Sequence, residues 1–195
     1  MNNDFGLYVI MDKPMSNLSF NFITFFFKFR DLFSSPIKTL EEIGIRSGWN
    51  VLDYGAGSGS YSIPAAQLVG PRGTVYAADI HTLAIIRIQK KALLKGLKNI
   101  HPILTDCNTQ LPDASIDVVL LFYVLHDFKN PDLILKELKR VLKPRGLLSI
   151  IDHKFNKDKV ISVIDNATVN MKLRNSGKRN GKKKGTILIF SKELE

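Results

Sequence analysis

Apolar positions along this chain fall into two alternating kinds. Val51-Leu52 runs into Asp53, Thr74-Val75-Tyr76-Ala77-Ala78 runs into Asp79, and Ile100 to Leu104 runs into Thr105-Asp106. Ile116 to Phe122 is nearly unbroken apolar sequence, as suits a central parallel strand buried on both faces. Leu147 to Asp152 reads as a fifth strand. Between these runs the spacing turns helical. A helix is expected from about Ser60 to Val69, stopped by Gly70-Pro71-Arg72-Gly73. A second runs from about Thr82 to Lys95, with Leu83, Ile86, Lys90, Leu93 and Leu94 as its stripe and Gly96 as its stop. A third starts at Asn130-Pro131, a cap followed by a first-turn proline, and carries Leu133, Ile134, Leu138, Val141 and Leu142. Lys143-Pro144-Arg145-Gly146 reads as the turn into the fifth strand.

Beyond Asp152 the order changes. A helix over about Lys157 to Ala167 precedes two strands, Val169 to Arg174 and Thr186 to Phe190, with no helix between them, so they pair antiparallel. Strands alternating with helices, then this ending, predict an α/β fold: a doubly wound, mostly parallel sheet with an antiparallel strand near the C-terminus.

The N-terminal stretch follows neither pattern. Residues 1–15 are weakly patterned and read as an arm. Phe20 to Phe33 is too apolar for a loop, and uncharged sequence from Pro14 to Phe27 is too short and too polar to span a bilayer. It reads as a helix packed on the main domain, ended by Ser34-Ser35-Pro36, with a second helix from Pro36 to about Ile43. The chain thus divides at residue 34: an arm and Phe-rich helix (1–34) that covers the pocket, and the main domain (35–195). Lys28 and Arg30 beside the phenylalanines also permit a peripheral membrane contact through Phe20–Phe33.

Composition changes this picture little. The 195 residues suffice for one domain with a full core. The single cysteine, Cys107, excludes an intrachain disulfide and a cysteine-built metal site. His81, His101, His126 and His153 show no ligand spacing, so no metal is expected. No cleavable signal peptide is visible, and the expected location is cytoplasmic. The net charge of +10 is local: Lys172, Arg174, Lys178, Arg179, Lys182, Lys183 and Lys184 lie in one segment without an acid. That segment reads as a solvated loop.

The candidate chemistry lies where strands end. Val51-Leu52-Asp53-Tyr54-Gly55-Ala56-Gly57-Ser58-Gly59 is a strand, a tight turn and a helix start. Glycines let backbone and ligand approach closely, and free N–H groups at the helix start favour an oxygen-rich ligand. The spacing is G-x-G-x-G. A dinucleotide fingerprint needs a third glycine at 60 or 62, where Ser60 and Ser62 stand. In a doubly wound sheet Asp53, Asp79, Asp106 and the Phe122–Asp127 segment would all face one crevice.

These residues resemble the Rossmann-like (class I) S-adenosylmethionine-dependent methyltransferases, over roughly Trp49 to His153. The resemblance implies a seven-stranded sheet and S-adenosylmethionine as cofactor. It implies that Asp53 orients the methionine amino group and that Tyr54, Gly55, Ala56, Gly57 and Gly59 pass beneath the cofactor. Asp79 would hold both ribose hydroxyls and Ile80 would pack on adenine. Asp106 would meet the exocyclic amine, with the Cys107 backbone N–H and Phe122 beside it.

Tyr123 to Asp127 resembles the post-strand segment of small-molecule methyltransferases. The Asn/Asp-Pro-Pro-aromatic motif of many DNA- and amine-methylating enzymes is absent, and arsenite methylation would require several cysteines. His126 or Asp127 can take a proton from a substrate hydroxyl, with Tyr123 beside them; local hydrogen bonding of His126 is the alternative. The leading expectation is transfer of a methyl group to a small, apolar or aromatic acceptor. An RNA methyltransferase using Lys182, Lys183 and Lys184, and a non-catalytic S-adenosylmethionine-binding module, remain the other readings.

Overall fold

A computed structural model describes residues 14–33, 35–167, 171–178 and 186–193. The arm over 1–13 and the basic loop with Arg179, Lys182, Lys183 and Lys184 lie outside the described residues, as do the side chains of Lys28 and Arg30.

Chain order gives α1 (Asn17–Phe33), α2 (Pro36–Ile43), β1 (Asn50–Tyr54), α3 (Ser62–Val69), β2 (Thr74–Asp79), α4 (Thr82–Leu94) and β3 (Ile100–Leu104). There follow β4 (Ile116–Phe122), α5 (Pro131–Val141), β5 (Leu142–Ile151), α6 (Lys157–Ala167), β6 (Met171–Lys178) and β7 (Thr186–Lys192). The strands form one seven-stranded sheet in the order β3-β2-β1-β4-β5-β7-β6. The first five are parallel, and β7 enters antiparallel between β5 and β6. The order reverses between β1 and β4, which opens a crevice at their carboxyl ends.

Strand alternation divides the core between the two faces. Leu52 and Tyr54 of β1 join Ile134, Leu135 and Leu138 of α5 and Ile164 of α6. Val51 joins Leu40 of α2, Ala66 and Val69 of α3, and Ile88 of α4 on the other side. β4 serves both faces and is buried almost throughout, as its unbroken apolar sequence requires.

Three local expectations are corrected. The buried face of α4 is Ala84, Ile88 and Ala92, whereas Ile86, Leu93 and Leu94 are exposed. Small alanines let the helix lie close on the sheet, and the large residues turn outward. The Lys143–Gly146 segment is not a plain turn before β5. Leu142 already pairs with Ile116, Lys143 Nζ donates to Asp117 at 2.7 Å, and the register with β4 shifts between Ile116 and Val118, with Arg145 at φ +62°. The Phe-rich helix begins at Asn17, where Ser16 Oγ accepts from Ser19 N, and among its described side chains it is one edge that packs on the domain. Phe20 and Thr24 are buried, while Phe22, Phe25 and Phe26 are each more than half exposed.

That edge is seated by polar chemistry as well as by apolar contact. The Phe20 ring stacks on His81 at 4.1 Å, and the Arg87 guanidinium lies 5.1 Å from the same ring. Arg87 also donates to Thr24 Oγ1 at 2.6 Å and to Asn21 Oδ1. His81 in turn begins α4, with Nδ1 accepting from Leu83 N.

Candidate active site

The crevice holds a cavity of about 640 Å³, within the range of small-molecule sites. Tyr54, Gly55, Gly57, Asp79, Ile80 and Asp106 line it, and so do Phe122, Tyr123, His126 and Asp127. The structure therefore brings together ten of the residues singled out in the sequence.

Four others do not line it. Asp53 points to the opposite face from Tyr54, by strand alternation, and its carboxylate accepts from Ser62 Oγ at 2.5 Å at the start of α3. Burial pushes the Asp53 carboxyl up to about 7, against the hydrogen bond from Ser62. Asp53 thus ties β1 to α3 beneath the turn. Ala56 packs in the core below the cavity. Gly59, at φ +80°, sits where a Cβ would come within 2.9 Å of Ile88 on α4, so its role is close helix packing. The Cys107 N–H lies 3.3 Å from Thr105 Oγ1, its local acceptor, and burial raises the thiol pKa.

The turn itself is built for approach. Gly57 has φ +53°, and nothing lies within 4 Å of where its Cβ would be, so its backbone faces open space in the cavity wall. Asp79 clamps this turn. Its Oδ2 accepts from Gly57 N at 2.7 Å and its Oδ1 from His81 N at 2.8 Å. Each oxygen keeps a lone pair for a ligand. Burial raises the pKa of Asp79, and the two N–H groups work against that rise. Asp106 is placed by Tyr54, whose hydroxyl donates to the Asp106 carbonyl at 3.1 Å.

Across the cavity, Tyr123 follows β4 at φ +60°, a strained conformation for a side chain of that size, and its N–H is held by Ile151 O at 2.7 Å. A 3-10 turn, Leu125–Asp127, then lays His126 against the end of β5. His126 Nδ1 meets Asp152 Oδ2 at 2.8 Å and Oδ1 at 2.9 Å. Asp152 Oδ1 also accepts from Lys154 N and Phe155 N, and these bonds together with His126 hold its carboxyl below the usual range despite burial. His126 Nε2 lies 3.3 Å from Asp127 Oδ1, and Lys154 Nζ lies 3.5 Å from that same oxygen. His153 packs edge-on to His126 at 4.7 Å, and burial lowers its pKa, with His126 as the second cause.

Thr105, His153 and Lys154 also line the cavity and Asp152 lies behind His126; sequence reading singled out none of the four. Asp152 is the most instructive: it follows a strand as Asp53, Asp79 and Asp106 do, and strand-end position was the available signal. Ligand atoms of His126, Asp152 and His153 all lie within 4.8 Å of one another, a group able to hold a cation. The direct His126–Asp152 contact also fixes the imidazole in place.

A family model for a methyltransferase domain matches residues 45–190, most of the chain. The chain belongs to that family. Its cofactor is S-adenosylmethionine. A solved structure of a SAM-dependent methyltransferase from Aquifex aeolicus superposes with a TM-score of 0.74 at 28% identity, over 84% of this chain and 92% of that one. The ubiquinone/menaquinone biosynthesis C-methyltransferase UbiE of Cellvibrio japonicus is 32% identical over 117 residues, which are 58% of this chain and 47% of the relative. The same enzyme of Pseudomonas putida F1 is 33% identical over 127 residues, 64% of this chain and 49% of the relative. The chain spans about half the length of these curated relatives. The fold alone is shared with the [4+2]-cyclase SpnF, at a TM-score of 0.71 and 14% identity over 82% and 80% of the two chains. The acceptor must therefore be argued from the site.

The residues present fit the cofactor. The bare backbone at Gly57 leaves room for it, and the spare lone pairs of Asp79 can accept from a ribose diol. Ile80 and Phe122 supply apolar walls, and Asp106 lines the same side.

Proposed function

We propose that this methyltransferase acts on a small, apolar aromatic acceptor of the hydroquinone type and methylates it at ring carbon, with His126 as the base. The observation that carries the reading is the bond from His126 Nδ1, in the cavity wall, to the buried Asp152 behind it. With Nδ1–H donated to Asp152, the lone pair is on Nε2. The relatives, C-methyltransferases of ubiquinone and menaquinone biosynthesis, support the acceptor class.

Bound S-adenosylmethionine supplies an electrophilic methyl group on a sulfonium. The chain's own part is to make the acceptor nucleophilic and to keep water out. Nε2 takes the proton from an acceptor hydroxyl, and the phenolate charge then spreads to the neighbouring ring carbon. Asp152 fixes the imidazole and lies against the charge that it gains. Asp127 beside Nε2, with a side chain 57% exposed, offers that proton a way to solvent, so Nε2 is free to take the ring proton after transfer. Tyr123, Phe128 and Ile134 give the acceptor apolar walls. Phe22 and Phe26 of α1 line the cavity too, and α1 acts as a lid that excludes water.

The experiment is incubation of the purified protein with S-adenosylmethionine and a panel of hydroquinones and dihydroxynaphthalenes, read by mass spectrometry and NMR. A product heavier by one methylene, with the methyl on ring carbon, is expected. Methylated RNA with no methylated phenol would overturn the reading.

A further inference from the structure

We propose that the outward faces of α1 and α4 form a docking surface for an anionic lipid bilayer. α1 shows Leu18 and Phe25 to solvent, whereas Phe22 and Phe26 line the cavity, and α4 shows Ile86, Leu93 and Leu94, the last two at 81% and 75% exposure. Two helices thus present large apolar side chains outward, which a protein surface rarely does without a partner. The two sets are continuous, because Phe25 and Leu94 line one shallow pocket between the helices.

Charge selects the partner. The same pocket is walled by Arg87, Lys90 and Lys91. From residue 80 to 105 the chain carries Arg87, Lys90, Lys91, Lys95 and Lys98 and no acid. Apolar side chains set among cations suit an anionic leaflet, where lysine and arginine meet the headgroups and phenylalanine enters the acyl boundary. A second copy of this chain fits less well, since a two-fold interface would set the cations of one copy against those of the other. Nucleic acid would leave the phenylalanine and leucine face exposed.

α1 has 17 residues, fewer than the roughly 20 needed to span, and no helix among the described residues is long and apolar enough to cross a membrane. It therefore lies along the surface. Thr24 lines both the lipid-facing pocket and the cavity of the active site, so α1 is the wall between them. Docking through this face would set the cavity mouth beside the bilayer. The proposal does not depend on which acceptor is methylated.

The test is co-sedimentation of the full chain with vesicles of equal parts phosphatidylcholine and phosphatidylglycerol, and with vesicles of phosphatidylcholine alone. Binding to the anionic vesicles only, weakened by salt, is expected. Phe25→Ser with Leu94→Ser should lower the partition coefficient by about tenfold or more, with the thermal melt and calorimetric S-adenosylmethionine affinity unchanged. Lys90→Glu with Lys95→Glu should weaken binding to the anionic vesicles comparably. Failure of the wild type to sediment, equal binding to both vesicles, or wild-type binding by the variants would overturn the proposal. So would a concentration-dependent dimer that the Phe25/Leu94 variant abolishes, which would give the surface to a second copy.

Discussion

Asp152 holds His126 Nδ1 with both carboxylate oxygens, at 2.8 and 2.9 Å, although the two residues lie on different strand ends. The parallel pairing of Phe122 with Ile151 sets the two ends side by side. An asparagine at 152 can donate its amide to Nδ1 and leave the proton on Nε2, the wrong tautomer for a base. Asp152→Asn should lower kcat by about 10²–10⁴ and leave cofactor affinity unchanged. Steady-state kinetics beside calorimetry checks both.

The glycines of the turn should separate by function. Gly57→Val puts a branched side chain into the cavity at a positive φ, so cofactor binding should be lost. Gly59→Val would instead strike Ile88, and its main effect should be a lower melting temperature. Calorimetry and thermal melts of the two variants distinguish binding from packing.

Asp53 should make stability depend on pH. Its folded pKa of about 7 lies above that of the unfolded chain, so the folded state holds a proton that the unfolded state has lost. The contribution is fully present below about pH 4 and is lost as the pH rises through about 7. Asp152, whose pKa is lowered, acts in the opposite sense, and a variant isolates Asp53. Asp53→Asn should gain melting temperature relative to wild type as the pH rises from about 5 to about 8. A pH-independent difference would mean that Asp53 ionises without penalty.

Deleting residues 1–33 should leave S-adenosylmethionine binding measurable, since Gly57, Asp79 and Asp106 belong to the main domain. Turnover and acceptor affinity should fall, because Phe22 and Phe26 leave the cavity wall. Acceptor KM and cofactor Kd, measured together, check this.

The sheet was legible because its strands are apolar runs with clear ends: the residues expected for the strands ending at Leu104 and Phe122 are those found. The acids after strands were legible for the same reason, since topology alone places Asp79 and Asp106 at the crevice. The bond from Ser62 to Asp53 was not legible, because one step of alternation turns a side chain from one sheet face to the other and the pattern does not say what waits there. Asp152 was missed because it meets His126 only through the pairing of β4 with β5, across 26 residues of chain. The stripe on α4 was misread because leucine and isoleucine outweigh alanine in any apolar pattern, while alanine is what a helix close to a sheet needs. The Phe-rich segment was legible as a helix, but its composition did not tell which rings turn to the protein.

On the proposed mechanism His126 takes the acceptor's proton in a crevice where S-adenosylmethionine binds independently of it. The most direct test is His126→Gln, with cofactor Kd by calorimetry and methyl transfer by single-turnover rate on the same preparation. The account predicts wild-type Kd with transfer slowed by about 10²–10⁴. Wild-type transfer by His126→Gln would contradict it.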